Sequence, residues 1–155
     1  FFGTWTSTDP DVWKLGQGVI RNRLFMQFCG VLPQDKTPGI EILQKLWDKY
    51  KTVSKFDASY WEGVVIAMIM ERAFHRASGL YKTVNAENIN KALETFQNED
   101  FGGLVPYVSY SKTNHEGSFK ARIVKINEDA TYVPMSNFFV PGIGEVKVLK
   151  VPEIK

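Results

Sequence analysis

The sequence predicts an α/β protein, a sheet flanked by helices, and three observations carry that expectation. Stretches 37–50, 57–79 and 85–97 repeat apolar residues at helical spacing. Stretches 18–29, 104–110, 119–126 and 132–135 alternate with period two, as strands with one buried face do. The composition, 44% hydrophobic and 23% charged over 155 residues, is that of a soluble globular protein. A chain of that length reads as one domain and can bury roughly 68–70% of its unfolded surface.

The elements follow in order. Phe1-Phe2-Gly3 reads as the end of a strand running into a loop, with no initiator Met and no signal-peptide core. That start predicts a piece of a longer chain, with disordered residues ahead of Phe1 as the alternative. Residues 4–10 form a loop closing on Asp9-Pro10, and 11–16 a short helical turn. From Gly18 to Cys29 a strand is expected. Ile20, Leu24, Met26 and Phe28 face one way, and Arg21, Arg23 and Gln27 the other. A helix then starts with Thr37 as N-cap and Pro38 at its first position, where the absent N–H has no partner to lose. Ile40, Leu43, Leu46, Trp47 and Tyr50 mark its apolar stripe.

The helix at 57–79 organises the rest, with Asp57 as its cap and Gly79 at its end. Trp61, Val64, Val65, Ala67 and Met68 recur at helical spacing, and Ile66, Ile69 and Met70 make the middle apolar nearly all round. Such a helix is expected to be buried on most sides. Its apolar run is too short to span a membrane, which takes about 20 residues. Glu71, Arg72, His75 and Arg76 gather in the last two turns, where cations suit the negative end of the helix dipole. Asn85 caps a third helix to Gln97 that buries Ile89, Leu93 and Phe96. Strands follow at 104–110, 119–126, 132–135 and 146–151, with turns at Gly102-Gly103 and 114–117.

Charge and chemistry narrow the function. Nineteen basic against seventeen acidic residues leave +2, too little to argue for nucleic acid or an anionic membrane. Cys29 is the single cysteine, which excludes an internal disulfide and reads as a small buried hydrophobe. No nucleophile, base and orienting group fall together, and neither His75 nor His115 has a nearby Ser or Cys in a nucleophile context. Asn114-His115-Glu116 is too sparse for a metal, and Gly142-Ile143-Gly144 lacks the third glycine of a phosphate loop. No enzyme activity, cofactor or metal is expected. Binding chemistry fits better. Trp5-Thr6-Ser7-Thr8 sets an aromatic face beside hydroxyls, as small-molecule pockets do, though a surface loop with one half-buried Trp fits those residues equally. Arg21 and Arg23 suit a carboxylate or simply a solvated strand face.

The order of these elements, with their residues, resembles the later part of the Leu/Ile/Val-binding-protein family, the type I solute-binding proteins of ABC transporters. Leu15-Gly16-Gln17-Gly18-Val19 is similar to the family's Glu-Gly-Val segment opening a second-lobe strand. Tyr60, Ala67 and Glu71-Arg72-Ala73 resemble its long helix. Phe101-Gly102-Gly103-Leu104-Val105-Pro106-Tyr107 with Asn114-His115 resembles its Gly–hydrophobic–His hairpin, and 123–133 fits the strand, turn and strand that follow. The resemblance implies part of a three-layer, periplasmic-binding-protein-like type I lobe with a C-terminal β-hairpin region. Residues 1–136 would be the later part of the second ligand-binding lobe, and 137–155 an extension adding an edge strand. It implies a substrate-binding component of an ABC importer, capturing a small organic solute between lobes that close on a hinge. A ligand-sensing ectodomain or regulator of the same fold is the alternative. The implied partners are the small-molecule ligand, a membrane permease and the remaining N-terminal part of the same protein. The implied location is periplasmic or extracytoplasmic. Carried over by residue, the family's cleft loop falls on Trp5, Thr6, Ser7 and Thr8, its acidic ligand contact on Gln17, and its apolar contact on Phe56 and Tyr60. A neutral Gln17 offers an ammonium group a contact about half as strong as a carboxylate would. The expected ligand is therefore an aromatic or apolar carboxylate, an amide or an amino-acid-like molecule.

Overall fold

β1 (Phe2–Gly3) and β2 (Leu24–Phe28) pair in parallel, and helix α1 (Pro10–Ile20) lies between them in the sequence. Parallel neighbours need such a crossover, because a tight turn cannot join them. β2 pairs antiparallel with β3 (Arg122–Ile126), which pairs antiparallel with β4 (Tyr132–Pro134), giving a four-stranded sheet in the order β1-β2-β3-β4. The helices α2 (Pro38–Tyr50), α3 (Ala58–Leu80) and α4 (Ala86–Leu93) fall between β2 and β3. This computed structural model describes residues 2–3, 10–20, 22–32, 34–51, 58–127 and 131–141. The chain divides into two compact units: Phe1–Leu32 with Phe119–Lys155, and Pro33–Ser118.

The first unit is the sheet. Its register sets Leu24 beside Ile126, Met26 beside Val124 and Phe28 beside Arg122. All of these are buried, which is the alternation expected from Leu24, Met26 and Phe28. Arg122 is tolerated there because its Nη2 donates to the Gly30 carbonyl at 2.9 Å and its guanidinium lies 4.8 Å from the Phe138 ring centre. Buried Ser136 accepts the Ile123 N–H at 2.8 Å. The β3–β4 turn closes with Asn127 N–H on the Thr131 carbonyl, forming the expected hairpin. Beyond it, Ala121 and Phe139 exchange both backbone hydrogen bonds.

The strand expected from Gly18 begins six residues later. Pro10 opens a helix that continues through Gln17 and Gly18 to Ile20. The chain then turns at Asn22, whose φ is +54°, and Arg23 N–H closes onto the Ile20 carbonyl. Ile20 thus belongs to a helix end, and Arg23 to the turn rather than to a strand face. Cys29, one residue past β2, is exposed rather than buried, since it continues the outward-facing positions of Gln27.

The second unit is helical. Thr37 and Pro38 open α2 as expected, but the Thr37 hydroxyl makes no capping bond and is buried without a partner. The first turn is held otherwise, by Gly39 N–H on the Gly102 carbonyl at 2.8 Å. Gly102 and Gly103 take φ of +67° and +70°, which brings this loop against the helix start. A Cβ on Gly39 would meet the Leu104 side chain and lie 2.9 Å from the Gly102 oxygen.

Leu104 and Val108 are buried, yet 104–110 is not a strand. Pro106 removes a ladder donor, and only Val108 pairs, with Glu99. α4 takes Asn85 as cap, its side chain accepting from Asn88 N–H at 2.9 Å, and ends at Leu93 rather than Gln97. Phe96 is buried beyond it as the chain turns at Asn98, φ +52°. α3 is not enclosed on most sides. Trp61, Val65, Ala73 and Ala77 bury one face, whereas Ile66 and Phe74 stay 54% and 45% exposed on others.

Candidate functional site

Of the residues singled out for binding, Trp5, Thr6, Ser7, Thr8 and Phe56 lie outside the described residues. So do Arg21, Asp57 and the 142–155 segment. Gln17 falls within α1 and not at a strand start. Tyr60 stands in the first turn of α3, half-buried, and its hydroxyl donates to the Leu43 carbonyl of α2 across a long 3.4 Å. Burial pushes the Tyr60 phenol up from its ordinary pKa. One residue on, the Trp61 indole N–H donates to the Leu104 carbonyl at 3.1 Å. The start of α3 is therefore fixed by two aromatic side chains that reach backbone oxygens through their polar tips.

Sequence reasoning missed the strongest polar cluster. Arg72 and Arg76, one helical turn apart on α3, converge on Glu99 at 3.0 and 2.7 Å. Arg72 also reaches the Asp100 carbonyl at 2.9 Å, and Arg76 the Thr95 carbonyl and hydroxyl at 3.2 Å. The guanidiniums stack 4.2 Å from the Phe101 ring centre and 4.6 Å from that of Phe96, both rings fully buried. Burial opposes ionisation of Glu99, but the two arginines outweigh it and hold the carboxyl below its usual range. Their place in the last turns suits the helix dipole. They also seal the Phe96–Phe101 cluster, whose third ring, Tyr110, has its phenol pushed up by burial. Both guanidiniums are engaged by Glu99, by backbone oxygens and, for Arg76, by the Thr95 hydroxyl, so the cluster ties α3 to the 95–101 stretch. The sequence signal was the Arg72/Arg76 spacing, but the partner lies 23 residues beyond Arg76.

A hollow of about 640 Å³ lies beside α4, lined by Tyr81, Glu87, Lys91, Glu94, Ser111 and Lys112 among others. Lys91 is already paired with Glu87 at 2.6 Å, which lowers the Glu87 pKa and raises that of Lys91. His115 reaches Glu94 at 3.9 Å on the surface. These polar side chains at its rim are thus already engaged with one another. Among the described residues no group of three His, Cys, Asp or Glu side chains could hold a metal ion. No described helix is long and apolar enough to cross a membrane.

No family model matches the sequence, and no curated protein matches it significantly. Solved structures do. A branched-chain amino acid ABC transporter protein from Thermus thermophilus with bound valine superposes with a TM-score of 0.79 at 20% identity, over 91% of this chain and 39% of that one. A fatty acid ABC transporter substrate-binding protein from Thermomonospora curvata gives 0.74 at 21% identity, over 91% of this chain and 36% of that one. An ABC transporter substrate-binding protein from Aeropyrum pernix gives 0.61 at 17% identity, over 79% and 33%. The chain thus spans less than two fifths of the length of the solved proteins it matches. Its mixed sheet and helices share the fold of part of these ABC-transporter substrate-binding proteins.

Proposed function

We propose that this chain is part of the substrate-binding component of an ABC importer, which captures a small organic solute, delivers it to a membrane permease outside the cytoplasm, and does not transform it. The observation that carries this reading is the 0.79 superposition, over 91% of the chain, on a protein solved with valine bound. The proposed solute has an apolar or aromatic body and a carboxylate, amide or amino-acid-like head. Valine and fatty acids, named for two of the neighbours, both join an apolar body to a carboxylate. Residues Trp5, Thr6, Ser7, Thr8, Gln17, Phe56 and Tyr60 are the proposed contacts, with residues 1–136 as later lobe and 137–155 as an added edge. The Ala121–Phe139 pairing supports the edge assignment.

The remaining polypeptide of the lobes is proposed to lie outside these residues. Exposed Ile66 and Phe74 on α3, and Val12, Leu15 and Val19 on α1, support this reading, because apolar faces of that extent are ordinarily covered.

Calorimetric titration of the whole encoded protein tests the proposal. Apolar or aromatic carboxylates are expected to bind ahead of leucine or valine. Loss of one neutral hydrogen bond costs about 0.5–1.5 kcal/mol, so Gln17→Ala should weaken binding from several-fold to about tenfold. Tight branched-chain amino acid binding that Gln17→Ala leaves untouched would overturn the assigned contacts.

A further inference from the structure

Three elements of the helical unit converge on the hollow beside α4. Tyr81, half-buried, follows the end of α3, and Asn90 and Lys91 stand on α4 itself. Glu94 is the C-cap of α4, and Lys112 belongs to the 111–114 turn. That turn is closed on itself. Ser111 and Asn114 pair through their backbones at 2.9 and 3.3 Å, and the Ser111 hydroxyl accepts the Thr113 and Asn114 N–H groups. Lys112 is thereby held on the rim. Lys91 is closed onto Glu87 at 2.6 Å, but Lys112 makes no hydrogen bond or ion pair among the described residues. Glu94, half-buried, has the His115 imidazole 3.9 Å away, a counter-charge only while that ring is protonated, and Lys91 acts on it at longer range. No ion pair joins Glu94 to Lys112 among the described residues. The Asn90 side-chain amide, a donor and an acceptor together, is unbonded among them as well.

We infer that this hollow is a second binding site, for a small zwitterion of the amino-acid or short-peptide class. Its ammonium meets Glu94, its carboxylate meets Lys112, and the Asn90 amide takes a peptide or carboxyl oxygen. A carboxylate and an ammonium held apart in one hollow complement a molecule that carries both charges. A simple anion would face Glu94, and a simple cation would face Lys112, each at the cost of like-charge repulsion. The Tyr81 ring and the methylene stems of Lys91 and Lys112 offer apolar surface to the body of the ligand. The volume, about 640 Å³, falls in the range of about 300–1,000 Å³ usual for small-molecule sites. Both charged groups are within reach of water, where such contacts are weak, so the affinity belongs near the millimolar range. None of the residues proposed for the cleft lines this hollow, so the inference goes beyond that reading.

The test follows the backbone amide resonances of Tyr81, Asn90 and Lys112 in the isotope-labelled whole encoded protein while alanylalanine is added. Saturable shifts at these three residues are expected. N-acetylalanine, which lacks the ammonium, and alaninamide, which lacks the carboxylate, should each bind about fivefold or more weakly than the dipeptide. Lys112→Met and Glu94→Gln should weaken the dipeptide to the same degree, and Lys112→Arg should restore its binding. No saturable shift, shifts confined to residues away from the hollow, equal binding of the two control compounds, or indifference to both variants would each overturn the inference. These resonances report on the hollow whatever solute is held elsewhere. Their failure to shift would sink this site alone, whereas failure of the whole protein to bind any solute in the proposed cleft would leave it standing.

Discussion

The helical unit and the sheet unit close their cores in different ways. In Pro33–Ser118 the buried rings of Phe96 and Phe101 are roofed by Arg72 and Arg76, and both cations end on Glu99. Charge, aromatic surface and backbone carbonyls are satisfied by residues within the same unit. In the sheet unit one face is complete, with Leu24, Met26, Val124 and Ile126 at 5% exposure or less, while Phe2 and Leu15 remain 70% and 90% exposed. A polar clamp closes the helical core, whereas the sheet core is closed by the alternation of its strands, with exposed apolar residues left at its edge and on α1.

Large-to-small substitutions test the comparison most severely. Removing a buried aromatic side chain costs about 3–5 kcal/mol and a buried Met about 2–5 kcal/mol. Phe96→Ala and Met26→Ala should therefore both lower the denaturation midpoint by amounts of that order. Phe96→Ala should also release the rings and guanidiniums stacked on it, visible as faster hydrogen exchange at Tyr110 and Thr95. If Phe96→Ala were the milder of the two and left exchange unchanged, the clamp would not be what holds the helical core.

Gly39→Ala should come next. Its added methyl meets Leu104 and stands 2.9 Å from the Gly102 oxygen, and overpacking of a tight site costs about 1–3 kcal/mol. An unchanged midpoint would mean that the loop yields, and that Gly39 is not required for the approach.

The smallest effect separates charge from packing. Glu99 has its pKa lowered by Arg76 and Arg72 against the opposing effect of burial. Because the folded value lies below the unfolded one, the unfolded chain binds more protons between them. The resulting stability is present above the ordinary carboxylate pKa of about 4.3 and is lost as pH falls through the folded value. Hydrogen bonds to charged groups contribute about 1.5–3 kcal/mol, less where the arginines are exposed to screening. Glu99→Gln should thus cost about 1–2 kcal/mol at pH 7 and less at pH 3, with a flatter stability profile between, measured by urea titration. Equal costs at both pH values would contradict the ion-pair account.

Local signals carried much of the fold. Pro38 at the first position marked α2, Asn85 marked α4 with its side-chain cap in place, and the alternation of Leu24, Met26 and Phe28 marked the buried face of β2. Misreadings arose where two patterns overlapped. Ile20 satisfies period two with Leu24, yet it ends a helix, because the positive φ of Asn22 between them is invisible to periodicity. Leu104 and Val108 also fit a strand, but Gly102, Gly103 and Pro106 turn that stretch into a loop plugged between helices. The all-round apolarity of α3 was legible, whereas the surface that would cover Ile66 and Phe74 was not, since it is not supplied by the described residues. The candidate site was the least legible. Five of its seven positions, Trp5 to Thr8 and Phe56, fall outside the described residues, and Gln17 takes a helical rather than a strand position.

The most direct measurement is the identity of whatever the whole encoded protein carries when purified. Mass spectrometry of the released ligand, repeated after prolonged incubation, should find one equivalent of a small apolar or aromatic carboxylate, amide or amino-acid-like molecule, chemically unchanged. Conversion of that molecule on incubation, or failure to bind any carboxylate including valine and a fatty acid, would contradict a solute-binding role.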